Sequence, residues 1–130
     1  MKNTIKNLTP TNIYDLELNE QQILGSIIHI VAYIVSIISS IQDTQIIFKE
    51  TSSGDSAQTA ATSSVLVLIA SIISAKVADD KLRETEQQIQ NGTATGPIEP
   101  RANIAIGHEL VVIGHYLEAL GNIELAKQFG

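Results

Sequence analysis

Apolar positions recur along this chain with a helical period in three separate stretches. From Ile23 to Ile41 there is no charged residue, and a helical wheel divides the stretch cleanly in two. Ile23, Leu24, Ile27, Ile28, Ile30, Val31, Ile34, Val35, Ile37, Ile38 and Ile41 fall on one half. Gly25, Ser26, His29, Ala32, Tyr33, Ser36, Ser39 and Ser40 fall on the other. A second run, Ala57 to Ala78, carries Val65 to Ile69 and then Ile72 and Ile73, and it continues as a charged extension in which Leu82 and Ile89 keep the heptad of Leu68 and Ala75. The third stretch, Gly107 to Glu124, reads as heptads that each begin with glycine, and Ile106, Leu110, Ile113, Leu117 and Leu120 form a seam beside the glycines.

Small residues recur every seventh position in all three. Gly25, Ala32 and Ser39 form one series, Ala57, Ser64, Ser71 and Ala78 a second, and Gly107, Gly114 and Gly121 a third. A glycine inside a helix costs about 0.5–1 kcal/mol relative to alanine, so the close approach of a neighbouring backbone is the expected compensation. These ridges are therefore the expected packing positions, within the chain or between copies. The pattern predicts an all-α fold, an up-down bundle of three long helices at about 20–49, 56–90 and 101–128, in a single domain spanning 1–130 and completed by self-association.

Local signals bound these helices. Residues 1–9 are polar and expected to be loose, and Thr9-Pro10 can cap and begin a helix through Leu16. Asn19 with Gln22 offers a second start, which leaves open one helix or two before Ile23, and Asp55 with Gln58 offers a start after the polar turn at 50–55. Asn91-Gly92 should end the second helix, with the glycine in the left-handed C-cap, and Pro100 suits the first turn of the third.

Composition adjusts this picture in three ways. The chain has 130 residues, no cysteine and a formal charge of −6, which excludes a disulfide scaffold and a thiolate site and argues against a nucleic-acid partner, because the one modest basic cluster, Lys76, Lys81 and Arg83, is interleaved with Asp79, Asp80 and Glu84 and reads as a solvated helix face. Charged residues make up 17%, few for a soluble domain, and the uncharged stretch at 23–41 approaches the roughly 20 residues of a membrane span. The segregated halves of that stretch favour an amphipathic core helix of a cytoplasmic bundle. The alternative is a small membrane protein with a hairpin of 23–41 and 57–75 and an amphipathic third helix, because Lys2, Lys6, Lys76, Lys81 and Arg83 outnumber the single Lys49 in the turn.

Catalytic chemistry finds little to work with. His108 and His115 are two turns apart, about 10.5 Å along the axis, too far to share one ion bound at roughly 2.1 Å. His115 and Glu118 have ligand spacing, and the third group that a metal would need could come from His29 or from a second chain. No Glu-x-x-His pair, phosphate-binding glycine motif or nucleophile elbow is present, so no cofactor is expected. The expectation is a non-enzymatic bundle that associates with copies of itself or with another helical protein, with a metal- or apolar-ligand-binding bundle as a further alternative.

Overall fold

A computed structural model describes residues 9–48 and 53–129, and all that follows concerns those residues. The loose segment expected at 1–9 lies outside them but for Thr9, as does most of the turn after Phe48. The fold is all-α: α1 spans Pro10–Ile47, α2 Ser53–Gln90 and α3 Glu99–Phe129, in up-down-up order.

The ends follow local chemistry. The Thr9 hydroxyl accepts from the Asn12 backbone N–H at 3.2 Å, and Pro10 occupies the first helical position, where its missing N–H costs nothing. α1 then runs unbroken, so Asn19 lies inside one helix and begins no second one. α2 likewise starts at Ser53, which puts Asp55 in its first turn rather than at its cap. At the far end, Gly92 has φ +70°, its N–H bonds to the Ile89 carbonyl at 3.1 Å, and the Thr93 N–H bonds to the Gln88 carbonyl at 2.9 Å. This pair of bonds is the Schellman stop that the left-handed glycine permits.

α2 is the centre of the fold. α1 and α3 each pack along it and make no contact with each other, so the molecule is an open layer of three helices. The α1–α2 seam is built from small side chains. Leu18, Gly25, Ala32 and Ser39 are the buried residues of α1. The Ser63 hydroxyl donates to the Ala32 carbonyl at 2.8 Å, and Ser39 donates to the Ser56 carbonyl at 3.1 Å, while Ser56 bonds to Asp43. Each bond crosses between the helices, and with no bulky side chain in the way the backbones come close enough for a hydroxyl to span the gap. A Cβ added to Gly25 would meet Ile73 Cγ2 at 3.3 Å and the Ala70 carbonyl oxygen at 3.6 Å. On the other side of α2, α3 buries Ala105 and Ala119, with Ala102, Val112 and Ala126 half-buried.

The large aliphatic side chains lie outside this core. Of the exposed large hydrophobics, fifteen fall between Ile13 and Phe48 and ten on α3, against two on α2. The isoleucine half of α1, expected to face the core, faces outward, with Ile23, Ile30, Ile34, Ile37 and Ile41 each more than half exposed. The seam Ile106, Leu110, Ile113, Leu117 and Leu120 on α3 is exposed too. The physical reason is that a hydroxyl can satisfy a carbonyl of the facing helix, as Ser39 does, so the Gly25, Ala32 and Ser39 ridge buries without penalty and packs closely, while Ser26, Ser36 and Ser40 of the same half stay exposed.

Candidate functional site

Two features of this layer are available for function, its outer apolar faces and the groove over α2. The outer face of α3 combines the exposed seam with Gly107, Gly114 and Gly121. A Cβ at any of the three would meet no atom within 4 Å, so these glycines serve no close contact inside the chain. The expectation of packing within the chain fails for them, since Ala105, Val112, Ala119 and Ala126, also seven apart, form the line that meets α2. Gly25, Ala32, Ser39, Ser64, Ser71 and Ala78 are all buried, and Ala57, the start of the second series, is half-buried.

The groove runs between α1 and α3 with α2 as its floor. Gln22, Ser26, Tyr33, Ser36 and Ser40 line it from α1, and Arg101, His108, His115, Glu118 and Asn122 from α3. Arg101, His108, His115 and Asn122 are seven apart, as are Gln22, His29, Ser36 and Asp43. Both heptads are visible in the sequence, and nothing there shows that they face one another.

The groove divides into clefts. The middle one, of about 250 Å³, holds His115 and Glu118, with Nδ1 of the imidazole 3.3 Å from a carboxylate oxygen. His29 stacks on Tyr33, ring centroids 6.1 Å apart, and Tyr33 lines the same cleft. Among the described residues, however, no three side chains of metal-ligand type come together, so His29, His115 and Glu118 form a stacked ring and a separate pair.

A second cleft, of about 400 Å³, lies between Gln22 and Ser26 of α1, Lys81 and Ser74 of α2, and Arg101 and His108 of α3. The Lys81 ammonium donates to the Gln22 side-chain oxygen at 2.9 Å. Below it, Glu84 of α2 sits near Asp15 of α1. Burial first, and then the hydrogen bond and negative charge of Asp15, hold the Glu84 carboxyl above its usual range against the pull of Arg101 and Lys81. Elsewhere on α2, Asp80 pairs with Lys76 at 2.6 Å and lies 3.7 Å from Arg83. Sequence reasoning read Lys76, Lys81 and Arg83 as one solvated cluster. The structure separates them, with Lys81 turned to the groove and the other two held by Asp80.

Searches against protein-family models, curated proteins and solved structures each return no match for this chain.

Proposed function

We propose that this chain is a non-enzymatic helical protein that acts by association with further copies of itself. One observation carries the reading: the core is made of small side chains while the large aliphatic ones stand outside. Burying a large aliphatic side chain is worth about 1.5–3 kcal/mol, so covering one that is half exposed returns about 1 kcal/mol. Contiguous apolar faces on both outer helices are unusual for a finished monomer and mark surfaces that another body covers.

Sedimentation velocity on the full chain, without detergent, tests this. The expected result is a soluble species heavier than the 14.0 kDa chain, with a mass that gives the number of copies. A monomer whose sedimentation does not change with concentration overturns it.

A second reading, a membrane hairpin, has its own observation. α1 and α2 are both long and apolar enough to cross a bilayer, and only 17% of the most apolar window of α1 is buried. Against it stands α3, which would lie on the bilayer surface as an amphipathic helix. It packs instead along the uncharged part of α2, from Ser74 and Ala78 near Ile104 to Ala60 near Asn122. It would carry exposed Glu109 and Glu118 into the bilayer with it, a costly placement. Protein recovered only in detergent would favour this second reading.

A further inference from the structure

We propose that the 400 Å³ cleft between the three helices binds a small amphiphilic anion, its phosphate or carboxylate head on Lys81, Arg101 and Gln22 and a short apolar tail on Ile104 and Val77.

The donor inventory of the cleft points to an anion. Among the described residues neither Lys81 nor Arg101 makes an ion pair, although Lys76 and Arg83 on the same stretch of α2 both have Asp80. Lys81 has three N–H groups, and its bond to Gln22 uses one of them. Because an ammonium only donates, the Gln22 oxygen must face it, which turns both amide N–H groups of Gln22 away and leaves them free. Arg101 adds a planar fork of donors suited to a phosphate or carboxylate. His108 lines the same cleft and is half-buried.

The hydroxyls do not alter the balance. Ser26 donates to the Gln22 backbone carbonyl at 2.9 Å and Ser74 to the Ala70 carbonyl at 3.1 Å, so their protons are already engaged and the charge-bearing donors set the preference. Both cations act on the carboxyl of Glu84. It is hydrogen-bonded with Asp15 and makes no ion pair with either cation, so Lys81 and Arg101 keep donors for an added anion. The volume lies in the range of small-molecule sites, larger than a bare phosphate needs, and Val77, Ala78 and Ile104 supply an apolar wall.

The test is isothermal titration of the full chain with octyl phosphate, inorganic phosphate and octyl glucoside, each below its micellar concentration. Saturable binding of octyl phosphate at one site per chain is expected, at least about tenfold tighter than inorganic phosphate, with no binding of the uncharged glucoside. Lys81→Gln with Arg101→Gln should weaken octyl phosphate by about a hundredfold, roughly tenfold for each lost cation, while circular dichroism stays unchanged. If the double variant does not fold, Arg101→Gln alone, at an exposed position, should still cost about tenfold. Equal affinity for octyl phosphate and inorganic phosphate would overturn the amphiphile assignment. Equal affinity for octyl phosphate and the glucoside, no saturable binding at all, or a double variant that binds as the wild type does would overturn the site. Association of copies is read separately by sedimentation, so failure of one proposal leaves the other standing.

Discussion

Replacing Gly107, Gly114 and Gly121 together by alanine separates what these residues do for the single chain from what they do for an assembly. In the single chain each added methyl group enters open space, with no atom within 4 Å, and alanine is favoured over glycine in a helix by about 0.5–1 kcal/mol. The three changes together should stabilise an isolated chain by about 1.5–3 kcal/mol, which for a domain of this size raises Tm by roughly 5–12 °C. Against a second copy the same methyl groups stand where the partner backbone is expected to approach. Overpacking such a contact costs about 1–3 kcal/mol, enough to weaken association about fivefold or more. Sedimentation velocity over a concentration series, with thermal melting at the most dilute point, reads both terms. The expected variant melts higher when dilute and assembles less when concentrated. A variant that assembles as the wild type does, while melting higher, would refute a close contact at the glycine face. Gly25→Ala is the internal control, because its methyl group would meet Ile73 Cγ2 at 3.3 Å, and Ile73 must give by a few tenths of an ångström. That displacement offsets the helix gain, so the expected change in stability is within about 0.5 kcal/mol.

Three further outcomes are expected. Ser63→Ala should cost about 1 kcal/mol in a denaturant melt, since it removes the hydroxyl that reaches the Ala32 carbonyl at 2.8 Å, while Ser40→Ala, whose hydroxyl bonds within its own exposed turn, should be near neutral. Gly92→Ala should cost about 1 kcal/mol, because φ +70° strains any residue with a Cβ and the Schellman bonds hold the backbone there. The Glu84 carboxyl is raised above its ordinary 4.5, so the folded chain holds more protons than the unfolded one as pH rises past that value. Its contribution to stability is therefore greatest in acid and falls as pH rises from about 4.5 through the raised value; Glu84→Gln should flatten that part of a pH-stability profile, and an unchanged slope would contradict the assignment.

What could be read from the sequence was what local chemistry decides. Thr9-Pro10, Asn91-Gly92 and Pro100 mark helix ends through capping and fixed φ, and these effects need no tertiary partner. The seven-residue spacing of Gly25, Ala32 and Ser39, and of Ser64, Ser71 and Ala78, also reads directly, since a helix turns such positions onto one side. Which half turns inward was not legible. Periodicity separates the isoleucine half of α1 from its serine half and carries no sign, and the usual rule assigns the isoleucines to the core. Here the rule fails because the serines that are buried are satisfied by carbonyls across the seam, as Ser39 of α1 is by Ser56 and Ser63 of α2 by Ala32, and so bury at little cost. The cleft of Lys81, Gln22 and Arg101 was hidden for another reason: its members lie 59 and 20 positions from Lys81 along the chain and meet only through the packing of both outer helices on α2.

The inside-out arrangement also bears on how the chain holds together. Leu18 and Ser71 are the largest side chains that are fully buried, and the other fully covered apolar residues are alanines and valines, with Leu66, Leu68, Ile73 and Leu82 of α2 only half-buried. An alanine contributes little transfer free energy, and ordering two helices of 38 residues costs backbone entropy whichever side chains they carry. On the proposal that copies associate, the stabilising term that a large core ordinarily supplies comes from the covered outer faces. Folding and association are then linked equilibria, and the measured stability is expected to depend on protein concentration. Thermal melting of the full chain across two decades of concentration should show Tm rising with concentration. A Tm independent of concentration, in a chain that sediments as a monomer, would mean that the small-residue core suffices alone and that the exposed isoleucines play no part in stability.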